Sequence, residues 1–373
     1  MICNFFFQML SYIEEAMQEN SAVFIIHFFL HVGSSLNQRE GKSVSARKKK
    51  VTLKDVGAEL GLSARAVSNG LNNVGRLAPD TRKKIIETAR RMGYIPNAAA
   101  RSLVTCRSNF IGVLIPYLNK SFFCNIIAGV GEVAAENGFM MLLDSLDKSD
   151  RSGKERVLSL LLQHNVAGII LYPRKEDLEM APMIRSMGIP VVQVMEYMPE
   201  FGEYAVTMDN FKAACDAMEH LFSRGHSRIA FLGHTTGSTV QQERFAGYLK
   251  MMENRKTVFQ NCLMNLEDGC AAMHRIFDCD PEVSAVFAAS DFAALGALRA
   301  AMERGRSIPG EFVAVGFSDV DLAANQALYP LTTIAQPKEE TGRKAAKMLF
   351  DLVNKEQVHS IQLPAPLVVR KSS

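Results

Sequence analysis

A chain of 373 residues is too long for one compact core and points to two or three domains. Its seven cysteines (Cys3, Cys106, Cys124, Cys215, Cys262, Cys270, Cys279) are odd in number and form no C-x-x-C pair, which argues against a disulfide-built secreted domain and for a reduced cytoplasm. The net charge of +3 hides an uneven distribution: between Arg47 and Arg107 fourteen Lys and Arg stand against four Asp and Glu, so this stretch carries +10 and the remainder −7. A polyanion partner is the natural use of so concentrated a positive field, and a merely solvated basic face is the plain alternative.

Residues 1–50 read unlike the rest. Apolar patches at 2–10 and 22–30 are interrupted by Glu14, Glu15, Gln18 and Glu19, and neither approaches the ~20 apolar residues of a membrane span. No basic segment precedes the first patch and no small-residue cleavage site follows it, so a signal peptide is not expected. The expectation is a poorly structured extension, produced by a translation start placed too far upstream.

From Val51 the sequence runs VTLKDVGAELGLSARAVSNGLNN. Thr52 followed three residues later by Asp55 is a capping signature, and Leu53, Val56 and Leu60 fall at helical spacing, which predicts a helix over 53–60. Gly61 breaks it, Ser63 caps a second helix over 64–71, and Val67 and Leu71 pack back while Arg65, Ser68 and Asn69 point outward. Two helices joined by a short Gly-containing turn make a helix-turn-helix. A third helix is expected from Pro79 to Met92, stopped by Gly93. Gly70 within the second helix costs roughly 1 kcal/mol of helix propensity.

The stretch 51–103, with DV at Asp55, VS at Val67, LN at Leu71, TR at Thr81 and GYIPNAAARSL at 93–103, resembles the headpiece of the lactose-repressor family. The resemblance implies that α-helical residues 64–71 enter the major groove of an operator. Ala64 opens that helix, and its outward Arg65 suits a guanine and Asn69 an adenine. Thr52, Ser63 and Ser68 are placed as phosphate contacts, which position the protein without reading sequence. Two departures leave operator preference open: Ala66 stands where the family usually has Thr, and Asn69 where it usually has Arg. Residues 97–103 resemble the family's hinge helix, with Asn97 as its cap and Leu103 as a wedge between minor-groove base steps. So short a helix needs a partner hinge and DNA for its order, and the alternative is a plain linker.

From Phe110 onward short apolar runs (IGVLIP, MMLLDS, AGIILYP, VVQVME, AVTMD, RIAFLG, AVFAAS, VAVGF, LTTIAQP) alternate with amphipathic stretches. This is the βαβ signature of an α/β protein. It resembles the periplasmic-binding-protein-like core of the same family, two lobes of doubly wound parallel sheet, over nearly all of 109–371. The expected order is therefore extension 1–50, helix-turn-helix headpiece 51–96, hinge and linker 97–108, and a two-lobed core for effector binding and dimerisation over 109–373. By the likeness the first lobe takes about 109–222, the second takes 223–333 plus the terminal strand, and 336–354 returns to the first.

Ligands bind where strand ends meet such a cleft. Carried over from the family, Phe122 and Phe123 supply an apolar wall, either of them equally suited to the core. Arg244, in RFAGY, matches a ligand-clamping arginine whose planar fork suits hydroxyl or carboxylate groups, with a surface ion pair as the alternative. Asp209, Asn210, Ser290 and Asp291 sit at strand ends, where each could instead cap the following helix. Ser318, in GFSD, stands where the family usually has an aspartate that meets ligand hydroxyls. That exchange favours an anionic polyol such as a sugar acid, against an ordinary neutral sugar served by Asp319 or Asp291.

The function expected is a sequence-specific DNA-binding transcriptional regulator, a repressor controlled by a small-molecule effector, acting as a homodimer or tetramer in the cytoplasm, with no membrane partner. An enzyme is the competing class for an α/β chain, yet no phosphate loop or nucleophile elbow occurs, and the glycines Gly129 and Gly131 lie inside a helical pattern. A secreted sugar receptor shares the core but has no use for a basic helix-turn-helix. No cofactor is expected, and no metal: Cys270, His274 and Cys279 are near in sequence at a spacing that matches no common zinc pattern.

Overall fold

The computed structural model describes residues 51–71, 74–94, 108–118, 120–146 and 151–373. The extension over 1–50, and Asn97 and Leu103 in the hinge, lie outside the described residues. The chain divides between Pro96 and Asn97 into two compact units.

In the first unit, helices α1 (Leu53–Leu60), α2 (Ala64–Leu71) and α3 (Pro79–Arg91) follow one another. The expected cap of α1 is a reciprocal box: Thr52 Oγ1 accepts from the Asp55 amide, and Asp55 Oδ2 accepts from the Thr52 amide at 2.7 Å. Gly61 ends the helix with φ 64°. Ser63 Oγ accepts from the Ala66 amide at 3.1 Å and starts α2. Val56, Val67, Ile85 and Ala89 form the buried centre. Gly70 does more than weaken α2, because a Cβ there would lie 2.6 Å from Ile85 Cδ1. The glycine lets α3 approach α2 closely enough to bury Ile85 completely. Helix α3 stops at Arg91, one residue short of expectation, with Met92 closing it through its amide to the Thr88 carbonyl at 2.9 Å.

The second unit runs β1 (Phe110–Ile115), α4 (Ser121–Glu136), β2 (Met140–Ser145), α5 (Arg151–Gln163), β3 (Ile169–Leu171), α6 (Ala181–Ser186), β4 (Val191–Val194) and β5 (Tyr204–Met208). It continues with α7 (Asn210–Ser223), β6 (Ile229–Leu232), α8 (Thr239–Met251), β7 (Val258–Gln260), α9 (Leu266–Cys279), β8 (Ala285–Ala288), α10 (Asp291–Glu303) and β9 (Val313–Phe317). The last elements are β10 (Thr332–Ile334), α11 (Lys338–Val353), β11 (Ile361–Leu363) and β12 (Leu367–Val368).

Two six-stranded sheets result, ordered β11-β5-β4-β3-β1-β2 and β12-β10-β9-β8-β6-β7. All neighbours are parallel except the β10–β12 pair. The central strands are buried on both faces, as β1, β4, β6 and β8 show, which is why they read as unbroken apolar runs. The chain crosses between the sheets three times, at β5–α7, β10–α11 and β11–β12.

One expectation is corrected. Helix α7 was assigned to the first lobe, but its buried stripe of Ala213, Ala214, Ala217, Met218 and Leu221 packs with Phe231, Phe287 and Phe317 of the second. The first crossing therefore falls at Met208–Asn210, and the first lobe is 108–208 with α11 and β11. Gly129 and Gly131 lie within α4, as the helical pattern indicated.

Candidate functional site

In both sheets the chain reverses direction beside the first strand: β1 lies between β2 and β3, and β6 between β7 and β8. The carboxyl ends of such strands border the crevice in doubly wound folds. In the first lobe this end carries an aromatic cluster. Phe123, 5% exposed, stands edge-on to Phe122 at 5.1 Å and to Tyr172 at 5.3 Å, and Tyr117 lies 6.4 Å away. Phe123 is thus part of the core cluster, and Phe122 packs against it from a partly exposed position.

The second lobe contributes Arg244 from the middle of α8. It is buried; Nε donates to Asn210 Oδ1 at 3.0 Å and Nη1 to the Ala289 carbonyl at 2.9 Å. Its guanidinium stacks over Phe317 at 3.7 Å. Burial pulls its pKa down to about 10, resisted by Tyr172, Glu196, Glu243 and Asp291, so the cation persists at neutral pH. The surface ion pair weighed for Arg244 is not what forms. Asn210 is equally buried, and its Nδ2 donates to Glu243 Oε2 at 3.2 Å, so an arginine, an amide and a carboxylate form one chain of contacts.

Glu196, which sequence reasoning missed, joins the two lobes. It follows β4, is 1% exposed, and its Oε1 accepts from the Thr239 amide at 2.7 Å, the first residue of α8. A carboxylate at a helix N-terminus meets the positive end of the dipole. Its other oxygen, Oε2, is buried and makes no hydrogen bond among the described residues. Burial accordingly pushes the carboxyl above the ordinary glutamate range, opposed by the Thr239 amide. Lys175 Nζ donates to the Gly237 carbonyl at 3.1 Å, a second bridge between lobes. Beside the crossings a cavity of about 380 Å³ is lined by Glu196, Met208, Asn210, Thr239, Glu243 and Gln362, among others.

The loop after β9 holds Ser318. Ser318 and Asp319 have φ 146° and 55°, left-handed values that cost energy outside glycine. Three groups fix this shape. Asp291 Oδ2 accepts from the Val320 amide at 2.8 Å, and Asp291 Oδ1 accepts from Thr333 Oγ1. Lys338 Nζ donates to the Ser318 and Asp319 carbonyls, the latter at 2.8 Å. Ser318 Oγ donates to Gln336 Oε1 at 3.1 Å. Asp291, 1% exposed, is thereby spent on the loop rather than turned to a ligand. Asp209 and Ser290 act as the caps foreseen as alternatives, accepting from the amides of Lys212 and Ala293.

Tyr172, Glu196 and Gln336 lie at the carboxyl ends of the apolar runs AGIILYP, VVQVME and LTTIAQP, with Lys338 just beyond the last, and that position was the available signal. In the headpiece, Arg65 is exposed and Ser68 and Asn69 are half-exposed on α2, while Ala64 is its first residue. The Thr52 hydroxyl donates to Asp55 Oδ2 at 2.8 Å, so a phosphate must compete for that proton.

Two doubly wound lobes joined by three crossings, in one chain with a basic helix-turn-helix, define a class of regulators built from a DNA-reading headpiece and a ligand-binding core. The family description "Periplasmic binding proteins and sugar binding domain of LacI family" matches residues 108–371. The HTH-type transcriptional regulator CelR of Thermobifida fusca is 32% identical over 87% of this chain and 99% of its own. Catabolite control protein A of Priestia megaterium is 29% identical over 87% and 99%. Among solved structures, the lac repressor dimer bound to operator and the anti-inducer ONPF superposes with TM-score 0.76 at 25% identity, over 87% of this chain and 99% of that one. A CelR–cellobiose complex superposes with TM-score 0.65 at 28% identity, over 87% and 100%. The chain belongs to the LacI family.

Proposed function

We infer that this protein is a sequence-specific, DNA-binding transcriptional repressor whose core takes a small polyol effector, and that the effector carries an acid group. The observation that carries the effector reading is Arg244. It is held flat on Phe317 and uses Nε and Nη1 on the protein, while Nη2 makes no hydrogen bond to any described residue. A planar fork with spare N–H groups suits a carboxylate or paired hydroxyls. Glu196 Oε2, buried and without a hydrogen bond among the described residues, calls for a donor such as a hydroxyl. A ligand with hydroxyls toward Glu196 and a carboxylate toward Arg244 and Ser318 answers both, since serine at 318 removes the repulsion an aspartate would exert. The similar structures, CelR with cellobiose and the lac repressor with the anti-inducer ONPF, make a sugar-like ligand the natural class.

The protein acts as a homodimer in the cytoplasm; no helix among the described residues is long and apolar enough to cross a membrane. Arg65, Ser68 and Asn69 face the operator, and Leu103 wedges a minor-groove step, so Leu103→Ala reduces operator bending without altering ligand affinity. Thermal-shift screening against matched pairs of sugars and their acids tests the effector class. Stabilisation by an acid, abolished selectively by Ser318→Asp, supports it. Stabilisation by a neutral sugar and by no acid rejects it in favour of the neutral-sugar reading, which Glu196 would serve equally.

A further inference from the structure

On the second lobe, between α9 and α10, three side chains of different chemistry converge. Cys270 and His274 stand one turn apart on α9, the i, i+4 spacing that puts two ligands on one helix face. Glu303, the last residue of α10, reaches the same point from the neighbouring helix. His274 Nε2 is 2.8 Å from Glu303 Oε2, Cys270 Sγ is 3.7 Å from that oxygen, and the three atoms all lie within 4.8 Å of one another. The two helices are held close because glycines face each other at the contact: a Cβ on Gly269 would lie 2.6 Å from the Ala293 carbonyl oxygen.

We propose that Cys270, His274 and Glu303 form a Zn²⁺ site that clamps α9 to α10. Zinc takes a thiolate at ~2.3 Å and imidazole or carboxylate at ~2.0–2.2 Å, which in a tetrahedron places ligand atoms roughly 3.3–3.6 Å apart. The observed separations need adjustments of under ~1.5 Å on that basis, and Glu303, an exposed side chain, supplies most of the freedom. A sulfur, nitrogen and oxygen set with a fourth position left for water suits zinc over magnesium or calcium. On loading, the Cys270 thiol proton leaves to solvent, and the His274 proton moves from Nε2 to Nδ1 as Nε2 takes the metal. Thiolate and carboxylate together neutralise the dication.

The surrounding cations set the cost. Arg299 Nε is paired with Glu303 Oε1 at 2.8 Å, which leaves Oε2 for the metal. Arg304 Nε donates to His274 Nδ1 at 3.2 Å, and this bond must break when Nδ1 gains its proton. Arg304 then retains Asp278 Oδ1 at 2.6 Å. The sequence gives no metal expectation, because Cys270, His274 and Cys279 match no common zinc spacing; Cys279 lies exposed at the end of α9, and the third group is Glu303, far along the chain.

The test uses the full reduced chain, stripped with a chelator and titrated with Zn²⁺ against a competing indicator, then with Co²⁺ as a spectroscopic probe. One equivalent should bind, with a thiolate-to-cobalt charge-transfer band and a rise in melting temperature. Cys270→Ala should abolish the band, and the surface changes Glu303→Gln and His274→Gln should weaken binding by tenfold or more. Should Cys270→Ala fail to fold, those two surface variants decide the matter. Absence of stoichiometric binding, a missing charge-transfer band, or affinity unchanged in the His274 and Glu303 variants overturns the site.

Discussion

The guanidinium of Arg244 lies 3.7 Å from the centroid of the Phe317 ring, so a buried cation rests on an aromatic face while its edges reach Asn210 and the Ala289 carbonyl. Lysine has neither the plane nor the fork to repeat this arrangement. Arg244→Lys should destabilise the core by about 1–3 kcal/mol, the cost of leaving buried acceptors unpaired. Phe317→Leu should cost less, because it removes the stacking and keeps both hydrogen bonds. Urea unfolding midpoints at constant slope measure both, and an unshifted midpoint for Arg244→Lys would show the contacts to be idle.

Glu196 gives a pH signature. Its folded-state pKa is raised by burial, so the carboxyl favours the folded state when protonated, and that contribution is lost as pH rises through the raised value. At neutral pH the ionised group therefore weighs against folding. Glu196→Gln keeps an acceptor for the Thr239 amide and removes the charge. It should raise stability at pH 7 by about 1–3 kcal/mol, and the gain should shrink as pH falls into the glutamate range and the native carboxyl takes its proton. Melting temperatures of both proteins across this range check it; a gain that does not vary with pH would contradict the charge argument.

In the headpiece, Gly70 and Ile85 form a coupled pair. Alanine at 70 regains about 1 kcal/mol of helix propensity but drives a methyl to 2.6 Å from Ile85 Cδ1, in a centre with no exposed escape. Overpacking of that kind costs about 1–3 kcal/mol, so Gly70→Ala alone should be neutral to destabilising. With Ile85→Val, which deletes the clashing atom, the same change should become favourable. A double-mutant cycle on the full chain, followed at its headpiece transition, measures the coupling, and strict additivity would refute it.

Arg65 and Ser68 separate reading from holding. Arg65→Ala should cost about 1–3 kcal/mol of operator affinity and relax preference at one base position, whereas Ser68→Ala should weaken all sequences alike. Binding to a panel of operator variants at fixed salt distinguishes them. Equal loss on every variant for Arg65→Ala would move it to the phosphate-contact group.

The long central strands and the three headpiece helices were legible because a buried parallel strand is an apolar run and a short helix carries its own caps. β7 and β11 were missed, and β12 was foreseen only as a terminal strand through the family likeness: each spans at most three residues and none is buried throughout. Helix α7 was placed on the wrong lobe because its apolar stripe fits either sheet until the crossing at Asp209 is located. Arg244 was found through family likeness. Glu196 was not, since a glutamate ending an apolar strand looks like the start of a loop until its burial and its grip on Thr239 are seen. Glu303 had no sequence signal at all, as nothing along the chain links it to Cys270 and His274.

The triple crossing has a consequence for synthesis. Helix α11, which buries Ala345, Ala346, Met348, Leu349 and Phe350 against the first lobe, leaves the ribosome only after the segment 209–337 that builds most of the second. At roughly 5–20 residues per second that is a wait on the order of ten seconds. Through that interval the nascent first sheet shows a greasy face with its own cover not yet translated, and strand β11 is still unavailable to close its edge. Crowded polysomes and scarce chaperones are therefore the conditions under which newly made chains should clump, however stable the finished protein is.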